Sequence, residues 1–208
     1  LGDVYKRQPA TWPDVYRRVV LGIAPSNEDV VYFLSSLASG NPRNQIWKYT
    51  YLGGDGAGVN GSWTDLSDNL PAFGEPVGDY NSQGSYNMLI KVHPEDEEVV
   101  YVGGTNLYRS NSGFADTTST RWIGGYAIRN NISTYRNHHP DQHELVFASD
   151  NPNKLYSSHD GGVSLTIQGT ALQPVWSDLS NGYTTSQFYT VAIDEETGGS
   201  ALTIGGLQ

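Results

Sequence analysis

The feature that most constrains this chain is a repeat. The segment VVLGIAPSNEDVVYFL (19–34) matches NMLIKVHPEDEEVVYVGG (87–104), with Pro25 and Pro94 each seven residues before Tyr32 and Tyr101. The same frame fits HELVFASDNPNKLYSS (143–158), anchored on Tyr156, and FYTVAIDEETGGSALTIGG (188–206), where Leu202 takes the place of the tyrosine. Nine residues before the anchors stand Ile23, Val92, Phe147 and Ile193; eleven before stand Leu21, Ile90, Leu145 and Val191. A period of two, then a polar turn, then a second short apolar run describes a β-hairpin, here four times over.

The second half of each unit repeats more loosely. Gln45 to Tyr51 (QIWKYTY) alternates and runs into a Gly-rich loop, GGDGAGVNG, before Trp63; the run from Trp63 to Ser67 (WTDLS) returns as Trp176 to Ser180 (WSDLS). Between them NLYRSNSG (106–113) leads to Trp122, so the tryptophans fall 59 and 54 residues apart. A unit of about 55 residues holds four short antiparallel strands and their turns. One such unit cannot bury both faces of its sheet, so neighbours must stack. The units are expected at about 16–70, 80–125, 138–182 and, in part, 186–208.

Composition agrees: 24 Gly, 14 Tyr and 5 Trp against a single Met suit an all-β chain without long helical periodicity. A net charge of −10 repels nucleic acid and anionic membrane, and no apolar run reaches spanning length, so both are excluded as partners. The absence of Cys excludes a disulfide framework and a thiolate site. Residues 3–8 (DVYKRQ) read as a translated sequencing-adapter end, so 1–8 is expected to be a scar and the domain to begin at 9. Both ends are expected to be truncations, which makes the lack of a visible signal peptide uninformative.

The densest chemistry lies in 138–162, HHPDQHELVFASDNPNKLYSSHDGG. His139, Asp141 and His143 are two apart, and on an extended strand all three would face one way. The turn at Asp160, Gly161 and Gly162 could return a carboxylate toward them. The candidate ligand-binding residues are His138, His139, Asp141, His143 and Asp160; the candidate metal set, for a divalent cation, is His139, Asp141 and His143; the candidate catalytic carboxylates are Asp141 and Asp160. The equally simple reading is a turn-forming, edge-blocking cluster. Calcium at GGDGAGVNG or SDNPN finds no support in ligand spacing. Asn131, Ile132 and Ser133 spell a glycosylation acceptor, which matters only in a eukaryotic secretory route. Glu95 to Glu98 (EDEE) reads as a solvated hairpin turn, and 117–137 as an irregular connection on the loop face that carries the site.

With these residues in view, the chain resembles β-propellers with BNR, or Asp-box, repeats, the group of sialidases, xyloglucanases and the sortilin ectodomain. Ser110, Asn111, Ser112 and Gly113 stand where a degenerate Asp box belongs, with Ser112 in place of Asp and Trp122 displaced. Ser158 to Gly162 fits the letters better but one strand too early. Within the group it is most similar to exported bacterial proteins labelled glycosyl hydrolase, through HPDQH, the Asp160 turn, Trp176 with Leu179 and Asn181–Gly182, TTSQFY (184–189) and the final GGLQ, together about half the chain. The resemblance implies an incomplete β-propeller, about three four-stranded antiparallel blades plus a trailing hairpin, with the remaining blades as its partners. It implies a secreted or cell-surface setting and binding of glycan or extracellular protein. Glycoside hydrolysis of xyloglucanase or sialidase type is the alternative, with some carboxylates on missing blades. The scattered arginines (17, 18, 43, 109, 121, 129, 136) speak against a sialidase. An arc with open edges is expected not to stay monomeric alone.

Overall fold

A computed structural model describes residues 9, 12, 15–39 and 43–182, together with the backbone of the strands 188–193 and 203–207. The readings made above for 1–8, for 184–187 of TTSQFY, for Leu202 and for Gln208 lie outside the described residues.

The described chain is all-β. Its only helical pieces are single 3-10 turns at Gly58–Asn60 and Ser67–Asn69, and no described helix is long and apolar enough to cross a membrane. Three four-stranded antiparallel sheets follow one another, each a meander in chain order. The first contains β1 (Tyr16–Ala24), β2 (Asn27–Leu37), β3 (Asn44–Tyr51) and β4 (Gly61–Asp65). The second contains β5 (Leu89–His93), β6 (Asp96–Gly103), β7 (Leu107–Ser110) and β8 (Thr120–Gly124). The third contains β9 (Gln142–Ala148), β10 (Asn151–His159), β11 (Gly162–Thr166) and β12 (Ser177–Asp178). A separate hairpin pairs β13 (Phe188–Ile193) with β14 (Thr203–Leu207).

The sequence repeat is a repeat of register. Each anchor tyrosine pairs with the residue ten before it, Gly22 with Tyr32, Lys91 with Tyr101 and Val146 with Tyr156. Because side chains alternate, this fixes which face each residue joins. Tyr32 leaves its sheet toward the second sheet and donates to the Glu97 carbonyl (3.1 Å). Tyr101 leaves the second sheet toward the third and donates to the Gly169 carbonyl (3.0 Å). The sheets therefore stack face to face in chain order. Between the first and second lie Val30, Tyr32, Leu34 and Ile46 against Ile90, Val92, Val100, Val102 and Tyr108. Between the second and third lie Leu89, Tyr101, Leu107 and Ile123 against Leu145, Leu155 and Trp176. The first strands β1, β5 and β9 run beside one another along a groove of about 830 Å³ that Arg18, Lys91 and His143 help to line.

Among the described residues, only the second sheet is covered on both faces. Leu21 and Ile23 are 57% and 56% exposed, whereas Ile90 and Val92 at the same repeat positions are 5% and 2% exposed and Leu145 is fully buried. Burying an aliphatic side chain of this size stabilises by about 1.5–3 kcal/mol. The first sheet's bare face is partly closed by Trp12, whose ring lies 5.6–5.8 Å from those of Phe33, Trp47 and Trp63.

Two expectations change. Thr120–Gly124 is the strand β8, so the irregular connection is shorter than 117–137 and runs from Gly125 to Asp141. The Glu95 to Glu98 run is only half a solvated turn: Glu97 accepts from Asn27 Nδ2 (2.6 Å) and Glu98 pairs with Lys48 Nζ (2.6 Å), which joins the first two sheets.

Candidate functional site

The loops entering β5 and β9 and the turns β6–β7 and β10–β11 meet at one end of the stack, tied by backbone hydrogen bonds. Thr105 N donates to Asn81 O (2.8 Å), Asp141 N to Thr105 O (2.8 Å) and Gln142 N to Gly104 O (2.9 Å). Ser110 to Gly113 occupies the turn between the third and fourth strands of its sheet, and Asp160 and Gly161 the turn between the second and third.

The expected common face for His139, Asp141 and His143 does not form. Strand β9 begins only at Gln142, after Pro140, and Asp141 has a left-handed φ of 65°. Without extended backbone the alternation rule has nothing to act on. Each of the three finds a different partner. Asp141 Oδ1 accepts from Asn87 Nδ2 (2.6 Å) and Gln83 Nε2 (2.9 Å), and His143 Nε2 meets Asp160 Oδ1 at 2.6 Å. The His139 ring lies over Gly161 and 6.1 Å from His159. Among the described residues no three His, Cys, Asp or Glu side chains are grouped to hold a metal ion.

His138 turns inward. It is 2% exposed, with Nε2 3.0 Å from Ser157 Oγ and its ring 4.4 Å from that of Trp176 and 4.7 Å from that of His159. Its Nδ1 sits on Gly124, where any Cβ would collide with the imidazole. Burial, and then the neighbouring His159, push the His138 pKa well below the usual range. Burial likewise lowers His159 to about 4.

What remains at the surface is a polar patch. Asp141 is half-buried, and burial followed by the charge of Asp160 raises its carboxyl. Tyr86, exposed, stands edge-on to His143 with centroids 6.2 Å apart. Arg18 Nη1 holds the carbonyls of Ser85 (3.1 Å) and Tyr86 (2.7 Å), which fixes the loop that carries Gln83, Tyr86 and Asn87. Gln83, Tyr86 and Asn87 stand outside the sequence cluster. Only the register of β5 beside β9 could have pointed to them, since nothing in their own spacing does.

The arrangement offers a carboxylate whose protonation is tuned, a second carboxylate held by an imidazole, and an exposed aromatic ring. That set suits hydroxyl-rich ligands. A scan against protein-family models finds no match for this chain, and a search of curated proteins finds none either.

Proposed function

We propose that this chain is an arc of a BNR-type β-propeller that works outside the cell and binds glycan or protein at the loop end built around Asp141. One observation carries the reading. Three sheets stack in chain order with their first strands side by side, and Tyr32 and Tyr101 each point toward the following sheet. This is the packing that repeated sheets use when each needs a neighbour to bury its faces. The exposure of Leu21 and Ile23, beside the buried Ile90, Val92 and Leu145 at equivalent positions, supports further blades as partners. Loops on a rigid scaffold are where binding lives.

Glycoside hydrolysis is the second reading, favoured by the raised Asp141 carboxyl close to a second carboxylate at Asp160. Asp141→Ala separates the two. In the enzyme it abolishes turnover on a polysaccharide panel. In the binding module neither form turns substrate over, and the substitution weakens binding alone. If neither form binds or cleaves any polysaccharide or extracellular protein tested, both readings fall.

A further inference from the structure

Beside the Asp141 patch, on the far side of Thr105, lies a cleft of about 240 Å³ that the sequence does not announce. Three segments wall it: 77–81 before β5, the β6–β7 turn at Thr105 and Asn106, and 126–130 of the long connection. Asn106 knits the three together. Its Nδ2 donates to the Val77 carbonyl (3.2 Å) and its Oδ1 accepts from Tyr126 N (2.6 Å). Arg129 N donates to Pro76 O (2.8 Å), so the outer wall is pinned to the inner one.

The lining is chemically balanced. Asp79 and Arg129 line the same cleft, together with Asn81, Asn130 and Tyr126. The Arg129 stem lies flat across Gly78, whose φ of 88° and missing side chain leave it that path. Among the described residues the guanidinium has one ion-pair contact, a long one to Glu75 at 3.9 Å, with both side chains well exposed. Gly74 N donates to Asp79 Oδ1 (2.9 Å) and so fixes that carboxylate. The Thr105 hydroxyl is buried with no hydrogen-bond partner among the described residues.

We propose that this cleft is a binding subsite for one neutral sugar ring. Pockets for drug-sized ligands run to roughly 300–1,000 Å³, so this one suits a single ring. One cation against one anion leaves no net charge to select an acidic ligand. A carboxylate that accepts, a guanidinium and amides that donate, and an aromatic ring for the C–H face together match adjacent hydroxyls on a pyranose. The fixed walls leave little ordering cost. The inference rests on the glycan form of the proposed function and extends it, because Thr105 joins this cleft to Asp141 through the Asp141 N to Thr105 O bond.

The test is an NMR titration of the full chain with methyl β-glucoside, methyl β-galactoside, methyl β-xyloside and methyl β-glucuronide. A neutral glycoside is expected to bind with a Kd of about 1 mM, the scale of a single ring. Shifts should centre on Tyr126 and Asn130. Arg129→Ala should weaken it tenfold or more. Arg129 is exposed, so its loss does not threaten the fold. The proposal is overturned if no neutral glycoside binds, if only the glucuronide does, or if Arg129→Ala changes nothing. Loss of binding in Asp141→Ala alone moves the sugar to the patch, which sinks this inference and leaves the proposed function standing. No binding here, and none sensitive to Asp141→Ala on polysaccharide or protein, sinks both.

Discussion

The two joints between sheets use the same register and opposite chemistry. In the first, Lys48 pairs across from Tyr32; in the second, Arg109 pairs across from Tyr101, at the equivalent place. Lys48 reaches the rim and meets Glu98 in a partly exposed pair. Arg109 is fully buried, and its Nη1 donates to the carbonyls of Gly169 (2.6 Å) and Ala171 (2.7 Å). Where Phe33 and Val102 stand in the first two sheets, the third has Ser157, held between His138 and Gln142. All five histidines lie in or beside the second and third sheets. The first joint rests on apolar area with its ion pair at the rim. The second adds to its apolar area buried polar groups whose hydrogen bonds must be kept.

The largest expected effect follows from the buried cation. Arg109→Ala takes the donor from the Ala171 carbonyl, leaves Gly169 with the Tyr101 hydroxyl alone and empties a large side chain's volume, a loss of about 4 kcal/mol in urea unfolding. If the joints are as distinct as their chemistry, hydrogen exchange should show β9–β11 losing protection while β1–β3 keep theirs. Equal loss in both would erase the comparison.

Acid should come next. His159, lowered to about 4 in the fold, takes up its proton earlier in the unfolded chain, whose ordinary value is near 6.5. Stability is therefore held above about pH 6.5 and falls as pH drops toward 4, by on the order of 3 kcal/mol from this residue. His138 and His93, both lowered chiefly by burial, act in the same direction. Asp141 acts the other way, since its raised carboxyl protonates first in the fold, and offsets part of the loss. Unfolding curves between pH 7 and 4 read the sum, and a flat profile would contradict the buried histidines.

The smallest effect belongs to the exposed pair. Lys48→Met should cost about 0.5–1 kcal/mol and less in high salt. A cost near that of Arg109→Ala would show that the two positions share more than register.

The hairpins were legible because a tyrosine ten residues after its partner makes register visible as spacing. The equivalence of Lys48 and Arg109 was not, since they follow their tyrosines by sixteen and eight residues. The longer β2–β3 connection hides a match that pairing reveals. At the candidate site, spacing placed Asp160 near an imidazole correctly, through His143. It failed for His139 and Asp141, where Pro140 and a left-handed backbone break the strand that alternation assumes. His138 was read as a ligand because a histidine's letter does not tell which way its ring turns; Gly124, fourteen residues earlier, is what admits it to the core.

Tyr32 and Tyr101 each hand their hydroxyl forward to the next sheet, so the stack has a direction. Among the described side chains its leading face ends on Tyr156 and its trailing face on Trp12, Phe33 and Trp63. Unlike ends meet head to tail, the kind of contact that either closes into a ring or runs on as a filament. The small rotation from one sheet to the next decides between those outcomes.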